Sequence, residues 1–159
     1  MAFLYDTLLQ EFGKREIART DVPNYIVDNL KYGIRPYQKE SFQRYILCHN
    51  EDFDGKPNKP FHLLYNMATG SGKTLIRAGL MLYLYEKGFR NFLFFVNSNN
   101  IINKTKDNFL NPQASKYLFS KKIVVEGKEV LIKEVANFEE SDEQNININF
   151  TTIQQLHID

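Results

Sequence analysis

The chain has 159 residues, 43% hydrophobic and 14% aromatic, enough apolar matter for about one domain with a core of its own. Its 20 Lys and Arg nearly balance 19 Asp and Glu, so net charge carries no footprint of nucleic-acid binding, and any such contact must rest on local geometry. A single cysteine, Cys48, excludes an intrachain disulfide or a cysteine metal cluster, and the histidines His49, His62 and His157 lack metal-ligand spacing.

Lone-cysteine usage fits a reducing cytosol, so the expected location is cytoplasmic. The start, Met1 to Asp6, shows no basic leader, and the longest apolar run, Leu80 to Tyr85, is too short for a membrane span. No membrane partner is expected.

In chain order, residues 3–30 predict helical segments broken near Asp21-Val22-Pro23. Leu4, Leu8, Leu9 and Phe12 recur at helical spacing. A helix can restart at Pro23 and turn Tyr25, Ile26 and Leu30 inward. Gly33-Ile34-Arg35-Pro36 interrupts it, and Pro36 suits the first turn of a helix running through Tyr37, Phe42, Tyr45, Ile46 and Leu47. Asn50 to Pro60 is a polar loop. Phe61 to Asn66 predicts a strand, 74–87 a helix, and Gly88 a turn. Phe92 to Val96, apolar on both faces, predicts a central parallel strand. It ends in Asn97-Ser98-Asn99-Asn100, and a helix over 101–109 follows. Ile123-Val124-Val125 and Val130-Leu131-Ile132 flank Glu126-Gly127-Lys128 as a β-hairpin. A polar loop over 137–145 leads to Ile146 to Phe150, a strand ending in Thr151-Thr152. Strand, helix, strand, helix is the grammar of a parallel sheet covered by helices. Tyr83 and Tyr85 read as core or helix surface rather than a base-stacking platform.

Met67-Ala68-Thr69-Gly70-Ser71-Gly72-Lys73-Thr74 is the most informative segment. It follows G-x-x-x-x-G-K-[ST] except for Met67 in the first position. A strand turning through glycines into a helix start leaves backbone N–H groups without helical partners, and the helix dipole favours an anion there. Gly70 and Gly72 let the backbone curl closely around phosphate oxygens, with Thr69 and Ser71 completing the loop. Lys73 can reach β- and γ-phosphates, and the Thr74 hydroxyl can ligate Mg²⁺.

Four patterns in this order resemble the start of a superfamily 2 helicase or translocase motor, most closely the restriction subunit of type III restriction–modification enzymes. They are Arg35-Pro36-Tyr37-Gln38, the stretch Asn66 to Thr74, Phe94 to Asn99 followed by Lys104-Thr105, and Phe150 to His157. The resemblance spans roughly residues 22–159. It implies an α/β fold: part of a RecA-like P-loop NTPase parallel sheet with an N-terminal helical extension and a β-hairpin insertion. It implies ATP and Mg²⁺ as cofactors, duplex DNA as partner and a methyltransferase modification subunit beside it. Gln38 would read adenine, since its amide offers the donor and acceptor that complement N7 and N6-H₂. Asn97, Ser98, Thr151 and Thr152 would touch the DNA backbone. For each there is a plainer alternative: Gln38 an exposed helix residue, Asn97 and Ser98 helix caps, the threonines an ordinary strand end. Likewise Lys104, Lys106, Lys116, Lys121 and Lys122 against Asp107 form either a phosphate-facing patch or a solvated helix face.

On this reading residues 1–60 form the helical extension and 61–159 an incomplete RecA-like ATP-binding domain. A motor also needs an Asp-Glu motif after a buried strand. Asp142-Glu143-Gln144 follows Phe138-Glu139-Glu140-Ser141 rather than an apolar strand and reads as a solvated loop. Glu126-Gly127-Lys128 reads as a hairpin turn, not a nuclease triplet. In the family the acidic motif, the second motor domain and the nuclease would lie beyond Asp159. The alternatives are a type I restriction subunit or DNA-repair helicase with the same motifs, and a non-catalytic nucleotide-binding module.

Overall fold

A computed structural model describes residues 3–96 and 98–153. They divide into two compact units. The first takes in residues up to Asn24 together with Ile34–Arg77, and the second takes in Tyr25–Gly33 together with the chain from Ala78 onward.

The first unit is helical. Helix α1 (Leu4–Arg19) is bent where Gly13 adopts φ 69°, a conformation that only glycine takes without strain. Helix α2 (Asn24–Val27) begins just after Pro23 and belongs to the second unit from Tyr25 on, while α3 (Pro36–Asn50), in the first, begins on Pro36, whose missing N–H costs nothing in a first turn. Leu8 and Ile17 of α1 pack on Leu47 and Cys48 of α3, joined by Leu4, Leu9, Phe12 and Phe53. Burial raises the Cys48 thiol pKa. Polar side chains fasten the pair of helices as well. Buried Gln43 donates to the carbonyls of Ala18 (3.0 Å) and Thr20 (2.9 Å), closing the end of α1. Arg44 lies over the Tyr5 ring, 3.7 Å from its centroid, and donates to Tyr5 O.

Residues 61–66 differ from expectation. Their exposure alternates with period two, yet they form no strand, and no strand among the described residues pairs with them. The side-chain pattern of a strand is present without its ladder, and Leu64 is left 92% exposed.

The second unit holds the sheet. Strands β1 (Asn91–Val96), β5 (Ile146–Thr152) and β4 (Ile132–Glu134) lie in the order β1-β5-β4, all parallel. Helix α5 (Asn99–Leu110) crosses from β1 and packs Phe109 beside Phe94, with ring centroids 6.4 Å apart. β1 is an edge strand among the described residues, not a central one: Leu93 and Phe95 on its other face are 46% and 53% exposed.

The hairpin forms as β2 (Ile123–Val125) and β3 (Lys128–Val130), with Glu126 and Gly127 both at positive φ in the turn. Its second arm is shifted two residues toward the turn from the expected Val130 to Ile132. Leu131 leaves the hairpin, and Ile132 joins the parallel sheet against Ile146. Buried Asn29 ties the hairpin edge to residues 25–33 by imitating a strand. Its amide donates to Val124 O (2.7 Å), and its carbonyl accepts from Val124 N (2.8 Å). Tyr83 and Tyr85 of α4 (Lys73–Glu86) are buried, as core residues should be. No helix among the described residues is long and apolar enough to cross a membrane.

Candidate functional site

The loop 67–74 is built by two left-handed glycines and the start of α4. Gly70 has φ 79° and Gly72 φ 85°, both closed to ordinary L side chains. Gly72 is constrained twice over, because a Cβ there would collide with Gln38 Nε2. The loop is braced internally: Ser71 Oγ donates to Ala68 O at 2.7 Å, and Ser71 N to the same oxygen at 3.2 Å. Gly72 O then accepts from Leu75 N (3.0 Å) and Ile76 N (3.2 Å) to start α4.

The Lys73 ammonium arches over the loop and donates to Met67 O (2.7 Å) and Ala68 O (3.0 Å). An ammonium has three hydrogens, so one is left for an anion seated in the loop. Among the described residues, the N–H groups of Gly72, Lys73 and Thr74 meet no backbone acceptor. They stand at the positive end of the α4 dipole. This donor set fits a polyphosphate. Thr74, half-buried in the first turn, carries the hydroxyl that would hold Mg²⁺. No cluster of three or more His, Cys, Asp or Glu suited to a metal occurs among the described residues.

Gln38, at 3% exposure, is not a surface helix residue. Its Oε1 accepts from Arg35 N at 2.9 Å, closing the first turn of α3, and its Nε2 donates to Ser71 O at 3.0 Å. A primary amide retains one hydrogen and one lone pair after those two bonds. The glutamine and the phosphate loop, 33 residues apart in the chain, therefore form one constellation. Sequence spacing alone did not reveal Tyr37, whose hydroxyl donates to the same Ser71 carbonyl at 2.8 Å. Its only sequence signal was its place between Pro36 and Gln38.

The expected DNA-contact residues lie in the second unit. Asn97 lies outside the described residues, as do Gln154 to Asp159. Ser98 precedes α5 without a side-chain cap, and its carbonyl accepts from Ile101 N and Ile102 N. Thr151 and Thr152 end β5 opposite Phe95 and Val96, Thr151 half-buried and Thr152 buried. The lysines divide. Lys106 is paired with Glu134 and lies over Phe150, and Lys122 meets Glu129 at 3.4 Å, while Lys104, Lys116 and Lys121 are exposed.

Asp142 sits in a knot of polar groups ahead of β5. It is bonded to Lys133 Nζ (2.7 Å), Asn145 Nδ2 (2.8 Å) and Gln144 N (2.8 Å). The Lys133 bond, helped by the other two, lowers its carboxyl pKa to about 2. Asp142-Glu143-Gln144 is thus a loop, as its polar surroundings in the sequence implied.

The family described as "Type III restriction enzyme, res subunit" matches residues 31–159. The chain is 42% identical over 151 residues to the "Probable type III restriction-modification enzyme HindVIP Res subunit" of Haemophilus influenzae (strain ATCC 51907 / DSM 11121 / KW20 / Rd). That alignment covers 91% of this chain and 29% of the relative, so the chain spans under a third of its length. No solved structure matches. The α/β architecture, with its parallel sheet and N-terminal helices, is that of a partial RecA-like domain, and the chain belongs to the family of type III restriction enzyme res subunits.

Proposed function

We propose that this chain is the ATP-binding segment of a DNA-translocating, helicase-like restriction subunit, in which ATP hydrolysis drives movement on duplex DNA. The observation that carries it is the joining of Gln38 to the loop 67–74 through Ser71, which sets a base-reading amide beside a phosphate cradle. Lys73 and the N–H groups of Gly72, Lys73 and Thr74 bind and orient the phosphates. The Thr74 hydroxyl would hold Mg²⁺, which would supply positive charge to the phosphate oxygens. Gln38 spends its remaining hydrogen and lone pair on the adenine edge.

Ser98 and Thr151 stand where a parallel sheet presents its ligand-binding loops and would contact the DNA backbone, and Asn97 and Thr152 are assigned the same role. The name of the Haemophilus relative supports a restriction role with a modification subunit as partner, and the lone cysteine supports the cytoplasm as setting.

The test is binding of a non-hydrolysable ATP analogue with Mg²⁺ by calorimetry. Lys73→Ala is expected to weaken it at least about 100-fold, because a charged donor is lost from the phosphate cradle. Unchanged affinity would sink the assignment. Hydrolysis stimulated by duplex DNA would separate a motor from a bare binding module.

A further inference from the structure

The phenol at the start of α3 has no part in the function proposed so far. Tyr37 is 41% exposed, yet its hydroxyl donates to Ser71 O at 2.8 Å and accepts from Arg35 Nη1 at 3.2 Å. Ser71 O also accepts from Gln38 Nε2, so both lone pairs of one loop carbonyl are held by consecutive residues of α3. In a trans peptide the following N–H points opposite to the carbonyl. Drawing Ser71 O toward the start of α3 therefore turns the Gly72 N–H away from it. Gly72 N–H is among the loop donors that meet no backbone acceptor among the described residues.

We propose that Tyr37 is a positioning residue for the phosphate loop: its hydroxyl, backed by Arg35, holds the Ser71–Gly72 peptide so that Gly72 N–H faces a bound phosphate. The inference rests on the nucleotide-binding role proposed for the loop. It assigns different work to two adjacent residues. Gln38 keeps a hydrogen and a lone pair for a base after making its two protein bonds. Tyr37 has a single hydrogen, and Ser71 O takes it. Loss of the phenol therefore acts on the phosphate side alone and does so whatever base is attached.

The experiment is calorimetric titration of the full chain and of its Tyr37→Phe variant with ATP and with inorganic tripolyphosphate, each with Mg²⁺. The expected result is that both ligands weaken by the same factor, about 3- to 10-fold for one neutral hydrogen bond. The melting temperature of the unliganded variant should match that of wild type, since the ring is kept. Equal affinities in variant and wild type would overturn the inference. So would a loss confined to ATP, which would place Tyr37 in the base site, or a loss matched by a lower melting temperature, which would make Tyr37 a packing residue. If wild type binds ATP and tripolyphosphate but Tyr37→Phe is neutral, only the clamp fails. If wild type binds neither, the nucleotide-binding role fails and takes the clamp with it.

Discussion

Two polar clusters, one in each unit, are opposites in how their hydrogen-bonding capacity is used. Around Asn147, which is fully buried, the demands are met within the chain. Its Nδ2 donates to Asp142 O at 2.8 Å and lies within reach of Asn145 O, Arg90 O and Asn91 Oδ1, while its Oδ1 accepts from Asp142 N at 2.9 Å. At the loop 67–74, carbonyls are held by Lys73, Ser71, Tyr37 and Gln38, and a row of N–H groups meets no backbone acceptor among the described residues. Both are rich in polar groups with specific geometry. The difference lies in what is left over. A satisfied knot holds a fold together, and surplus donors at a helix start are what a ligand can use. No buried side-chain nitrogen or oxygen among the described residues lacks a partner altogether, so the donors left wholly unmet at the loop are those of the backbone, beside the spare hydrogens of Lys73 and Gln38.

Substitutions should separate the clusters. The largest effect is expected at Gly72→Ala. A left-handed alanine costs roughly 1–2 kcal/mol, and its Cβ must displace the Gln38 amide. Affinity for tripolyphosphate should fall on the order of 100-fold by calorimetry, and a variant binding within a few-fold of wild type would show that the loop tolerates another path. Next comes Asn147→Ala, which strips partners from buried backbone groups. Urea unfolding should lose about 2 kcal/mol, while tripolyphosphate affinity stays near wild type. A parallel loss of affinity would mean that the two clusters are coupled.

The smallest effect concerns pH. The Asp142 carboxyl is held at about 2 in the folded chain against an ordinary 3.8, chiefly by Lys133. A lowered folded pKa adds stability above the unfolded value and loses it as pH falls toward the folded one. Wild type should therefore lose stability between about pH 4 and 2 more steeply than Asp142→Asn, as read by thermal unfolding across that range. Identical acid limbs would mean that the Lys133 pair contributes nothing in solution.

Much of this was legible in the chain itself. The helix that begins on Pro36 follows from a local backbone constraint, as do the two positive-φ glycines of the loop 67–74, whereas the bend of α1 at Gly13 was not anticipated. The strand beginning at Ile146 and the turn at Glu126-Gly127 were equally local, although Asn147 in that strand is buried as fully as Ile146. Pairing was not legible. Phe61 to Asn66 and Phe92 to Val96 both have strand-like side chains, but the first pairs with no described strand and the second lies at an edge. Side-chain period two records which face is covered and says nothing about whether a ladder partner lies beside the backbone. The hairpin's second arm was misjudged for the same reason: Ile132 is apolar whether it continues the hairpin or joins β5.

The sequence by itself determined the loop 67–74, its two glycines and the helix behind it, because a left-handed turn and a helix start are set by neighbouring residues. Only the tertiary structure decided that Gln38 and Tyr37 grip Ser71. It likewise decided that Asn29 and Asn147 serve as backbone partners and that β1 lies at an edge among the described residues. Those contacts join groups far apart in the chain, and a hydrogen bond depends on where two groups meet in space, which no local pattern encodes.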